Sequence, residues 1–130
     1  MKKTTTISVM LLITALLLLL HFSILIGLIP YDKVWAGRLK SVEEMYQFET
    51  VSILINVFVL IVLLVKRRML KQQKQNKLMS YLLKALGVFF ALNTIGNLFA
   101  ESKLELILGT AVTLTLSVLF FKVSMKEKYS

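Results

Sequence analysis

Val51-Ser-Ile-Leu-Ile-Asn-Val-Phe-Val-Leu-Ile-Val-Leu-Leu-Val-Lys-Arg-Arg68 decides the fold. From Val51 to Val65 only Ser52 and Asn56 are polar, and three cations follow at once. A helix needs about 20 apolar residues to cross a hydrocarbon core of roughly 30 Å. Ser41-Val-Glu-Glu44, just upstream, matches a capping box and predicts that the helix begins there and runs through Tyr46 and Glu49. The apolar core of this span is placed at 46–65.

Three more segments of the same kind flank it. Ile7–Ile29 is broken only by Ser8, Thr14, His21, Ser23 and Gly27, and Pro30 is expected to end it. Spans at 82–100 and 104–121 complete the set. Backbone groups in lipid must be satisfied internally, so each is expected to be α-helical; no alternating strand pattern of a barrel is present. Apolar residues make up 57 % of the 130. A soluble fold this small has too little interior to hide them. The expectation is an all-α membrane protein, one unit over residues 1–130, built as an antiparallel up-down four-transmembrane-helix bundle.

Charge placement gives the orientation. With the N-terminus inside, twelve of the sixteen basic residues lie inside: Lys2, Lys3, Lys66, Arg67, Arg68, Lys71, Lys74, Lys77, Lys84, Lys122, Lys126 and Lys128. Only Lys33, Arg38, Lys40 and Lys103 lie outside. By the positive-inside rule both termini are expected to be cytoplasmic. Tyr31, Trp35, Tyr46 and Phe99 fall near the outer boundary, and Tyr81, Phe120, Phe121 and Tyr129 near the inner one, levels that aromatic rings prefer. Lys2-Lys3 before an apolar run could open a secretory signal. The run is longer than the usual signal core of about 7–15 residues, so a retained span is expected.

Polar residues within the spans are the candidate site. His21, Asn56 and Asn93 come out at one depth, about 10–12 Å below the outer surface at a 1.5 Å rise per residue. Asn93, Asn97 and Glu101 share a helical face, as do Glu49 and Asn56. An outward-facing polar cluster of His21, Glu49, Asn56, Asn93, Asn97 and Glu101 is therefore expected as a ligand-binding candidate, since ionisable groups in lipid are functional candidates by default. Against it stands interhelical glue at about 0.6–2 kcal/mol per contact. The glue reading takes precedence.

Other features have plainer readings. The rows Gly109-Thr113-Ser117, Gly87-Ala91 and Gly96-Ala100 let helices approach closely, in the bundle or in a homodimer. Lys66, Arg67, Arg68, Lys71, Lys74 and Lys77 set topology and can contact anionic lipid. Trp35, Arg38 and Glu44 belong to an interfacial loop, with Arg38 expected to pair with Glu44 or Glu49. The basic run lacks aromatic interleaving, so no nucleic-acid partner is expected. One histidine, no cysteine and no phosphate loop leave no catalytic signature, no metal site and no cofactor.

Two segments carry a resemblance: Trp35-x-Gly37-Arg38-Leu39 with Glu44-Met45-x-x-Phe48-Glu49, and Asn93-Thr94-x-Gly96-Asn97-x-x-Ala100. With the four-span layout they resemble small uncharacterised bacterial four-helix inner-membrane proteins, a likeness that implies no activity. Small multidrug-resistance transporters look similar in size but carry a glutamate in the first helix, where this chain has His21. The function classes left open are a non-enzymatic accessory or binding protein and a small transporter or binder of a small molecule, ion or lipid. Membrane lipids, another membrane protein or a second copy are the partners to consider.

Overall fold

The computed structural model describes residues 2–31, 39–100 and 102–127. The helices are α1 Lys3–Leu25, α2 Val42–Lys71, α3 Lys77–Asn97 and α4 Thr110–Ser124, the last preceded by a π-helical turn, Glu105–Gly109. No strand occurs among the described residues. Counting the π turn with α4, all four are long and apolar enough to cross a membrane.

Local chemistry explains where the helices start and stop. α1 ends at Leu25, short of Pro30, because Gly27 adopts φ +86°. The Gly27 amide donates to Ile24 C=O at 3.1 Å and the Leu28 amide to Ser23 C=O at 2.8 Å. This is the Schellman arrangement, which satisfies carbonyls at a helix end and favours glycine. At the start of α2, the Ser41 hydroxyl accepts from the Glu44 amide at 3.1 Å, as the capping box predicts. The Glu44 carboxylate caps the preceding amide, that of Lys40, at 3.1 Å. α2 then runs on through the cations to Lys71, six residues past the apolar block. Its end repeats the Schellman pattern with Gln73 at φ 55°, as the Lys74 amide donates to Met69 C=O at 2.9 Å. Asn76 caps α3 by accepting from the Leu78 amide at 2.7 Å, so α3 starts five residues before the predicted 82.

Packing follows a spacing that alternates three and four. On α1 it passes through Ile7, Met10, Thr14, Leu17, His21 and Ile24; on α2 through Met45, Glu49, Ser52, Asn56, Val59, Leu63 and Lys66. Every one of these α2 residues is buried, as are Ile7, Met10, Thr14 and Ile24. Such a period keeps one seam facing a neighbour along a left-handed pair of helices. Leu83, Gly87, Phe90 and Thr94 form the same kind of seam on α3. As α3 advances from Ser80 through Gly87 to Thr94, its hydrogen-bond partners on α4 recede from Ser124 through Ser117 to Thr113.

One apolar core draws on all four helices. It contains Ile7 and Met10, Val59, Val62 and Leu63, Leu83, Leu86 and Phe90, with Leu116, Phe120 and Val123. Phe120 thus lies in the core, stacked on Phe90 with ring centroids 5.6 Å apart. A second, smaller cluster of Ile24, Leu39 and Met45 involves only α1, α2 and the segment between them. Elsewhere the apolar side chains face outward: Leu12, Leu19, Leu54, Leu92 and Ile107 are all more than half exposed. At most 33 % of the most apolar window of any of the four spans is buried. In water such a surface would be very costly; in hydrocarbon it is the solvated one.

Candidate polar sites in the helix seams

The α1–α2 seam carries the first polar group. His21 Nδ1 lies 2.6 Å from Glu49 Oε2, and the Glu49 side chain is fully buried while His21 keeps 18 % exposure. With Glu49 ionised, Nδ1 carries the proton and donates to the carboxylate. A charge-assisted bond of this length is strong, and a carboxylate inside an apolar bundle requires such a partner. Farther along the same seam, Asn56 Nδ2 donates to Ser52 C=O at 2.8 Å. Asn56 Oδ1 is buried and has no hydrogen-bond partner. On α1, buried Thr14 returns its hydroxyl to Met10 C=O at 2.8 Å.

The α3–α4 seam carries the second group, centred on Thr113. Its hydroxyl donates to Gly109 C=O at 2.7 Å, accepts from Asn97 Nδ2 at 3.3 Å and lies 2.9 Å from Thr94 Oγ1. Thr94 in turn bonds Phe90 C=O at 2.8 Å. Gly109 makes the approach possible, because a Cβ there would stand 2.8 Å from Asn97 Oδ1. Ser117 donates to Gly87 C=O at 2.7 Å, one helix directly to the backbone of the other. The row read from sequence as small spacers, Gly109, Thr113 and Ser117, therefore also supplies hydroxyls. Thr94 and Thr113 were missed as site residues; their spacing from Phe90 and Gly109, one helical turn each, was the available signal.

The six residues expected to line one pocket are distributed as follows. His21, Glu49 and Asn56 share the α1–α2 seam, and Asn97 belongs to the α3–α4 seam. Asn93 is exposed and joins neither. Its neighbours Phe90, Thr94 and Asn97 take the seam positions, and residue 93 lies just off them. Glu101 lies outside the described residues, as do Trp35 and Arg38. Glu44 of the expected interfacial loop takes part in the helix cap described above.

The basic stretch is also uneven. Lys66 is buried and Arg67 half-buried, whereas Arg68, Lys71, Lys74 and Lys77 are exposed. Arg68 and Lys71 occupy the last turn of α2, where cations complement the helix dipole. A cleft at the other end, bordered by Ile24, Gly27, Pro30, Tyr31, Met45 and Tyr46, contains none of the polar seam residues. Among the described residues no group of three or more His, Asp or Glu side chains could hold a metal ion.

The chain matches no protein-family model, no curated protein and no solved structure.

Proposed function

We propose that this chain is a multi-pass bacterial inner-membrane protein, an up-down antiparallel four-helix bundle with both termini cytoplasmic. In this reading it serves as a non-enzymatic accessory or binding protein in the bilayer, its partners being membrane lipids and another membrane protein or a second copy. The observation that carries the non-enzymatic part is how the seam polar groups are used. Glu49 is engaged by His21, and Thr113 by Asn97 and Thr94, so these groups hold helices together. Interhelical hydrogen bonds of this kind act as register-setting glue in lipid. The likeness to small bacterial four-helix inner-membrane proteins fits the same assignment.

A second reading, a small-molecule, ion or lipid binder, draws on one specific observation: the unsatisfied Asn56 Oδ1, two helical turns along the seam from the His21–Glu49 pair. Leucine substitution of His21 and of Asn56 separates the two. Glue gives lower bundle stability on H21L, with no ligand phenotype on N56L; a site gives lost binding on N56L in a bundle that stays folded. Sidedness is tested by single cysteines at Lys40, Gln73 and Ser102, since the chain has no cysteine of its own. Labelling from outside at Lys40 and Ser102 but not at Gln73 is the expected result. The reverse pattern would overturn the orientation.

A further inference from the structure

Lys66 differs from every other cation in the basic stretch. It ends the α2 seam, retains only 6 % exposure and forms no ion pair among the described residues. The charged groups acting on it are Lys3 of α1 and Glu127 beyond α4. Glu127 is already engaged, its carboxylate 2.7 Å from Lys3 Nζ. Lys3 also donates to Met125 C=O. Glu127 is held in place from the other side, where its amide and carbonyl bond the Gln75 side chain at 3.0 and 2.8 Å. Two ammonium groups therefore lie in the field of one carboxylate, and the second belongs to a side chain largely covered by the bundle. The adjacent Arg67 adds another unmet donor, its Nε buried without an acceptor. An uncompensated buried cation is strongly unfavourable, and so is a buried N–H without an acceptor.

We infer that the end of the bundle framed by Lys3, Lys66 and Arg67 binds a phosphate-bearing anion. Phosphate fits the donor set: it offers several acceptor oxygens to ammonium and guanidinium donors together, and it supplies the negative charge that Glu127 does not. In a bilayer this level coincides with the headgroups, so an anionic phospholipid is one source and free phosphate the other. The inference rests on the membrane reading only through the lipid source. It differs from diffuse attraction of the exposed lysines to a charged surface, because it requires a defined residue inside the seam.

The full chain in a neutral detergent, studied by native mass spectrometry and by unfolding with added ligand, tests this. Phosphatidylglycerol, phosphatidylcholine and inorganic phosphate are the three probes. The expected result is one retained phosphatidylglycerol per chain, favoured over phosphatidylcholine, with K66M weakening retention by about fivefold or more, the share of one headgroup-level charge. K66R should keep binding. The triple change K71Q/K74Q/K77Q should alter it less than K66M does. If K66M does not fold, R67M takes its place, with the same loss expected. Protection by inorganic phosphate that depends on Lys66, with no preference for phosphatidylglycerol, would support the phosphate site and assign its occupant to the soluble pool. Wild-type binding by folded K66M, or a loss confined to the triple variant, would overturn the proposal. Cysteine labelling fails or succeeds independently of either outcome.

Discussion

His21 Nδ1 and Glu49 Oε2 are 2.6 Å apart in a seam where the carboxylate has no exposure at all. Removing one partner of a buried pair is worse than removing both, because the remaining group stays buried and loses its strong hydrogen bond. H21L is therefore expected to destabilise the bundle by up to about 3 kcal/mol, the lower end for a broken buried pair. The double variant H21L/E49L should be less destabilised than H21L. Detergent-to-denaturant unfolding of the four proteins in a double-mutant cycle measures this. A double variant as unstable as the sum of the singles would mean the two residues act independently.

Asn56 supplies a second contrast. Its Oδ1 is buried without a partner, whereas Asn97 gives its amide to Thr113 across the α3–α4 seam. Leaving a buried acceptor unsatisfied costs about 1–3 kcal/mol. N56L should accordingly leave stability unchanged or raise it, and N97L should lower it by about 1 kcal/mol, as expected for an interhelical hydrogen bond in lipid. Thermal unfolding in one detergent compares them. A clear loss on N56L would instead indicate that a bound molecule completes the Asn56 site.

Glycines on the α3 and π-turn faces should respond in opposite directions. A Cβ at Gly109 meets the Asn97 side chain at 2.8 Å, while one at Gly96 meets nothing within 4 Å. Asn97 can yield only by leaving Thr113. G109A is expected to cost about 1–3 kcal/mol through overpacking. G96A should be neutral or stabilise by up to about 1 kcal/mol, the helix-propensity difference. Unfolding midpoints of the two variants decide it, and equal losses at both positions would place Gly96 in a contact with another chain.

These cases show which levels of structure were readable in the chain. Each span could be recognised because apolarity is a local property, and the Ser41 cap because it involves neighbours in sequence. Rotation of a helix about its own axis is not local. Asn93 and Asn97 lie one turn apart and looked equivalent, yet only Asn97 meets α4, since the seam follows Phe90, Thr94 and Asn97. Lys66 reads in the sequence as the first member of a basic run that sets topology and contacts anionic lipid. Continuing the three-four alternation from Met45 through Leu63 would have assigned it to the interior. His21 and Glu49 were both singled out, but their direct pairing depends on the relative slide of α1 and α2, which neither helix encodes alone.

Helix ends offer the last test, because two of them use the same backbone geometry with different residues. Gly27 after α1 and Gln73 after α2 both have positive φ, at 86° and 55°. Both sit where the Schellman bonds require a left-handed residue. Glycine adopts that conformation freely, whereas a residue with a Cβ is strained by about 1–2 kcal/mol. G27A should therefore destabilise the protein by about 1 kcal/mol, and Q73G should stabilise it by a similar or smaller amount, since glycine also loses more backbone freedom on folding. Unfolding midpoints of the single variants measure both effects. Stabilisation by G27A would mean that α1 continues toward Pro30 once glycine is removed, and that the end seen at Leu25 is set by residue 27 alone.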